Sequence, residues 1–127
     1  MSEPDQLHEA AADLSPQTRD AHRALRSLME ELEAIDWYAQ RVDGAIDPEL
    51  KAVLAHNRDE EKEHAAMVLE WLRRQDPVLD GFLRRYLFTD APIVGIEEAV
   101  DEGGSKGAAP SSAASVGLGI GSLRAGK

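Results

Sequence analysis

An all-α fold, two long antiparallel helices forming a hairpin and followed by a short third helix, is predicted by three features of the sequence. Two uninterrupted stretches of nearly thirty residues carry apolar side chains at helical spacing. Each opens on a capping residue followed by proline. No segment within residues 15–90 alternates in the manner of a strand.

The first helix begins at Ser15-Pro16, an N-cap with proline at the first helical position. Its apolar residues Ala21, Leu25, Leu28, Leu32, Ile35, Ala39 and Val42 recur at spacings of four and three, a heptad-like seam. Asp43-Gly44 ends it. Asp47-Pro48 starts a second helix that runs to about Gln75, and Asp76-Pro77 opens a third that ends near Phe88. Residues 1–14 read as a flexible polar leader, and residues 15–95 as one helical domain. The glycine-, serine- and alanine-rich residues 96–115 cannot bury a core and read as a disordered linker. Residues 116–127, VGLGIGSLRAGK, return to apolar character without the length to fold alone.

Composition narrows the function. The net charge of −10 disfavours nucleic acid, whose phosphates call for a basic surface. No run approaches the about 20 apolar residues of a membrane span, and no signal peptide opens the sequence. A cytoplasmic protein is expected. With no cysteine, metal chemistry here must use carboxylate and imidazole. A hairpin of this size has little core, and Met29, Trp37, Tyr38, Met67 and Trp71 lie off the main stripes. Pairing of two hairpins into a four-helix bundle is the expected remedy.

The stripe of the second helix passes through Leu50, Leu54, Asn57, Glu61, His64, Val68 and Leu72. With Leu54 at zero, Glu61 falls at about −20° and His64 at about −80°, inside the sector expected to be buried. Glu60, at about −120°, is the edge rival, and Glu63 faces away. A carboxylate in an apolar stripe is costly unless something compensates it, and a divalent cation does so. Glu-x-x-His places both side chains one turn apart on one face. With a glutamate from a neighbouring helix, such pairs are the ligand set of di-iron carboxylate bundles. On the first helix Glu31 flanks Leu28 and Ile35, while Glu30 and Glu33 lie on another face as a weaker second metal site, with Trp37 between them. One chain therefore supplies one Glu-x-x-His and one single glutamate, half of a di-iron site. The other half is expected from a second copy. His8, His22 and His56 lack such support and read as surface residues, and Trp37 and Tyr38 read as packing.

MEELEAIDWYAQRVD (29–43), HNRDEEKEHAAMVLEWLRR (56–74), RYLFTDAPI (85–93) and GLGIGSL (117–123) resemble the encapsulated ferritins, cargo proteins of encapsulin nanocompartments. The resemblance implies a ferritin-like four-helix bundle formed by two chains, with an iron-oxidising di-iron centre between them. It implies Glu31, Glu61 and His64 as ferroxidase ligands, and Glu30 and Glu33 as secondary sites that guide iron inward, with Trp37 and Tyr38 close to the centre. It further implies a ring of dimers, a decamer, inside an encapsulin shell in the cytoplasm. GLGIGSL would be the shell-docking peptide, laying Leu118, Ile120 and Leu123 into shallow pockets. The rivals are an acidic helical adaptor without catalysis, and a di-metal peroxidase of the rubrerythrin type.

Overall fold

The computed structural model describes residues 7–99. A single 3-10 turn at Ala11–Asp13 precedes α1 (Pro16–Gly44), α2 (Pro48–Gln75) and α3 (Pro77–Tyr86), and residues 93–99 are also helical. No strand occurs among the described residues. They fall into two units, one ending at Gln75 and one beginning at Asp76. The first six residues of the expected leader, most of the expected linker and all of residues 116–127 lie outside the described residues; residues 96–99 of that linker are helical.

The proline starts act as the sequence predicts. The Ser15 hydroxyl accepts from the Thr18 backbone N–H at 3.0 Å. Asp47 Oδ2 accepts from Leu50 N–H at 2.8 Å, and Asp76 Oδ1 accepts from both Val78 and Leu79 at 3.0 Å. Each satisfies donors that the first helical turn leaves without partners.

α1 and α2 pack as an antiparallel hairpin across the three-residue connection 45–47. A side chain staples that connection. Lys51, in the first turn of α2, donates from Nζ to the Val42 carbonyl at 2.7 Å and to the Ala45 carbonyl at 3.2 Å. A cation thus sits on the C-terminal carbonyls of α1, where the helix dipole favours positive charge.

The core is small. Among the described residues only Ala65 and Leu72 are buried, at 7% and 6% exposure. Both lie on α2 within about 20° of Leu54, so the packing face of α2 is centred there. Among the half-buried residues of α1, Ala24, Leu28, Glu31, Ile35, Tyr38 and Val42 form a stripe centred about 100° from Leu25, with Ala21 and Ala39 beside it. This departs from the single seam expected of the sequence. Leu28 and Ile35 face α2, whereas Leu25 and Leu32, with Met29, stay about half exposed. The apolar arc of α1 is wider than one helix–helix contact can cover, and apolar spacing alone does not say which part of a wide arc meets the partner.

In the second unit, α3 is held by its own side chains. Arg84 Nε donates to both Asp80 oxygens at 3.0 Å, one turn back, and the Arg85 guanidinium lies 5.1 Å from the centre of the Phe82 ring.

Candidate metal centre

Three potential ligands converge in the middle of the hairpin. Glu31 from α1, and Glu61 and His64 from α2, each present a ligand atom within 4.8 Å of the others. The convergence follows from the helices. Glu31 lies in the half-buried arc of α1, and the i, i+3 spacing brings Glu61 and His64 to the same level of α2. His64 Nδ1 is 3.3 Å from Glu61 Oε1 and 3.7 Å from Glu31 Oε1, so Nδ1 is the ring nitrogen turned into the cluster.

The side chains of Glu31 and Glu61 are 25% and 24% exposed, and that of His64 is 46% exposed. Helical phase alone puts His64 within the buried sector, and the structure moves it to the rim. The packing face of α2 centres on Ala65 and Leu72, which rotates a residue at about −80° toward solvent.

The three groups perturb one another's proton affinities. A hydrogen bond between the two carboxyl groups raises the pKa of Glu31 and holds that of Glu61 below the usual range, so the pair favours sharing one proton. The hydrogen bond to Glu61 raises His64, with the charges of Glu31, Glu61 and Glu60 adding to the effect. A divalent cation would displace these protons and be neutralised by the two carboxylates.

The donor set fits such an ion. Ligand atoms about 2.1 Å from a metal stand roughly 3–4 Å from one another, so small side-chain adjustments close the cluster around one ion. Carboxylate oxygen suits hard cations and imidazole suits iron, copper and zinc. Three protein ligands on an open face leave coordination positions free for a second ligand set.

The other residues that the sequence singles out stand apart from this cluster. Glu30 and Glu33 are exposed on α1 and do not join it, although the charge of Glu30 is felt at Glu31. Trp37 is about half exposed, and Tyr38 is half buried beneath the Arg41 guanidinium, 5.2 Å from its ring centre. Leu118, Ile120 and Leu123 lie outside the described residues. Sequence reasoning weighs Glu60 only as a rival of Glu61 and reads His56 as a surface residue, and the structure makes both neighbours of the site. Glu60 lies within ion-pair distance of both His56 and His64, at 3.8 and 3.9 Å. The i, i+4 spacing of residues 56, 60 and 64 was the available signal.

The site sits on an exposed apolar flank. Further along α2, Met67 and Trp71 are 63% and 39% exposed. With Val68 they line an open groove against Arg23, Ala24 and Ser27 of α1.

Comparison with known proteins shows the family. The family described as EncFtn-like matches residues 6–90. An "Encapsulated ferritin-like protein" of Rhodospirillum rubrum is 59% identical over 121 residues, spanning 92% of this chain and 86% of that protein. A "Ferritin-like protein" of Thermotoga maritima is 56% identical, over 78% of this chain and 87% of its own. The "Encapsulin nanocompartment cargo protein EncC" of Myxococcus xanthus is 38% identical, over 72% of each chain. The crystal structure of protein ne0167 from Nitrosomonas europaea superposes with a TM-score of 0.68 at 63% identity, covering 70% of this chain and 98% of that one. With a ferritin-like helical hairpin and a family match over most of its length, this chain belongs to the EncFtn-like family of encapsulated ferritin-like proteins.

Proposed function

We propose that this protein is a ferroxidase that oxidises Fe(II) to Fe(III) with O₂ at a di-iron site shared between two chains, as cargo of an encapsulin nanocompartment. The observation that carries the reading is the convergence of Glu31, Glu61 and His64 on an uncovered face of the hairpin. One chain offers three ligands. A two-fold pairing of that face would bring six around two ions, two Glu-x-x-His pairs and two single glutamates, the full set of a di-iron carboxylate bundle.

The chemistry follows from the donors. Iron is the substrate. Two Fe(II) ions give one electron each, and O₂ with two protons becomes hydrogen peroxide while both ions become Fe(III). No organic cofactor is required. Glu31 and Glu61 supply hard anionic oxygen that stabilises Fe(III), and neutral His64 keeps Fe(II) binding favourable. Any proton held between the two carboxyls would leave as the ions enter. Glu30 and Glu33, exposed on another face of α1, would gather cations before they reach the site. Trp37 and Tyr38 would border the centre. A site open at an interface can release its product, and oxidised iron would then pass to the shell interior for mineral storage.

The names of the relatives from R. rubrum and M. xanthus support the cargo role. Residues 116–127 would dock on the shell through Leu118, Ile120 and Leu123, and the dimers would close into a decameric ring. The exposed Leu25, Met29 and Leu32 supply further apolar surface for such assembly.

Anaerobic addition of Fe(II) followed by O₂, with ferric absorbance recorded, tests the ferroxidase. Wild-type protein is expected to oxidise iron well above the buffer rate, and Glu31→Ala, Glu61→Ala and His64→Ala to fall to it. Equal rates for His64→Ala and wild type would refute the reading. Co-expression with a shell protein tests the address: removal of residues 116–127 should abolish loading, and undiminished loading would overturn that assignment.

A further inference from the structure

Two adjacent glutamates could have served as the partner of His64, and the structure gives each of them a different side of the ring. Glu61 Oε1 lies 3.3 Å from Nδ1, with Glu31 Oε1 3.7 Å from the same atom. Glu60 Oε1 stands 3.9 Å from Nε2, and the other Glu60 oxygen stands 3.8 Å from Nε2 of His56. Residues 56, 60 and 64 form one column on α2, spaced by four, so the carboxylate in the middle meets a ring on either side.

A histidine that ligates a metal through one nitrogen carries its proton on the other, and that N–H calls for an acceptor. Nδ1 is turned toward Glu31 and Glu61, which leaves Nε2 as the donor. Resting on the reading of Glu31, Glu61 and His64 as metal ligands, we propose that Glu60 is a positioning residue. Its carboxylate accepts the Nε2 proton of His64, holds the ring with Nδ1 toward the metal, and strengthens metal binding without touching the ion. The 3.9 Å separation is an ion-pair distance, and a torsional adjustment of about 1 Å in this half-exposed side chain brings it to hydrogen-bond length. The tandem Glu60-Glu61 thus divides its work, one carboxylate for the ion and one for the ring that binds it.

The test is anaerobic titration of the full-length chain with Co(II), read by ligand-field absorption, together with ¹⁵N NMR of His64 in the Zn(II)-loaded protein. Glu60→Ala is expected to weaken Co(II) binding about 10- to 100-fold, the range for removing the partner of a metal-ligating histidine. Glu60→Gln loses the charge but keeps an acceptor oxygen, and is expected to restore most of the affinity. The nitrogen shifts should report metal on Nδ1 and a proton on Nε2. Equal losses in the two variants would assign the effect to a remote charge and overturn the proposal. Wild-type affinity in Glu60→Ala, or metal on Nε2, would overturn it too. A wild-type chain that binds no Co(II) would refute the underlying metal reading as well, which separates the two failures.

Discussion

The two flanks of α2 serve different purposes. On one, Ala65 and Leu72 are nearly closed off against α1. On the other, His64, Met67 and Trp71 follow one another along the helix and remain substantially exposed. The closed flank contains no ionisable group within its buried pair, and the open flank carries one of the three metal-ligand candidates beside two large apolar side chains. A monomer gains nothing from leaving Trp71 and Met67 in water. Burying them against a second copy would recover about 25 cal/mol for each Å² covered, and would bring a second set of ligands to the first. On the proposed function, folding rests on one flank, and the proposed assembly with its chemistry on the other.

Substitutions can break that division. The largest effect is expected from His64→Ala on the open flank, or from Glu61→Ala between the two flanks: iron oxidation falls to the buffer rate in stopped-flow absorbance, while the helical circular dichroism is retained. Leu72→Ala on the closed flank should do the reverse, costing about 2–5 kcal/mol of stability in denaturant melts, as buried leucine truncations do. Trp71→Ala should leave the secondary structure intact and weaken self-association by about 2 kcal/mol or more in sedimentation experiments, in the manner of an interface anchor. If Trp71→Ala unfolded the chain and left association unchanged, the two flanks would not be separable.

Lys51→Met sharpens the comparison at the hairpin connection, which belongs to folding alone. Loss of its two bonds to the Val42 and Ala45 carbonyls is expected to cost about 1 kcal/mol in thermal melts, with iron oxidation unchanged.

The smallest effect is in pH dependence. The raised pKa of His64 means that the metal-free fold gains from its charged form below the ordinary histidine range, and loses that contribution as pH rises through the raised value. Metal affinity should move the other way, rising through the same window as His64 gives up its proton. The melting temperature should therefore fall slightly with pH without metal and rise with pH when Co(II) is present. A parallel trend in both would contradict the placement of His64 in the metal set.

Much of this was legible in the chain. Ser15-Pro16, Asp47-Pro48 and Asp76-Pro77 announce the helix starts because capping and the fixed φ of proline act within a few residues. Glu61 and His64 stand out because ligand-type residues in an apolar stripe need a reason. The rotational phase of α1 was not legible. Leu25, Leu28, Leu32 and Ile35 are chemically alike, and only contact with α2 separates the covered pair from the exposed one. His64 is read too deep for a different reason: the face of α2 closed by α1 is narrower than the apolar stripe, and a side chain about 80° from Leu54 already lies at its rim. The bracketing of His64 by Glu60 and Glu61 depends on which ring nitrogen faces which carboxylate, a distinction that spacing does not encode.

The claim that most needs testing is that one chain holds half a site. Anaerobic Fe(II) binding and sedimentation can be measured on the same samples as the 13.8 kDa chain is diluted through its association range. The account predicts that tight Fe(II) binding tracks the associated fraction, saturates near one ion per chain, and disappears from the monomer. Equally tight and stoichiometric binding by a chain that sediments as a monomer would contradict it.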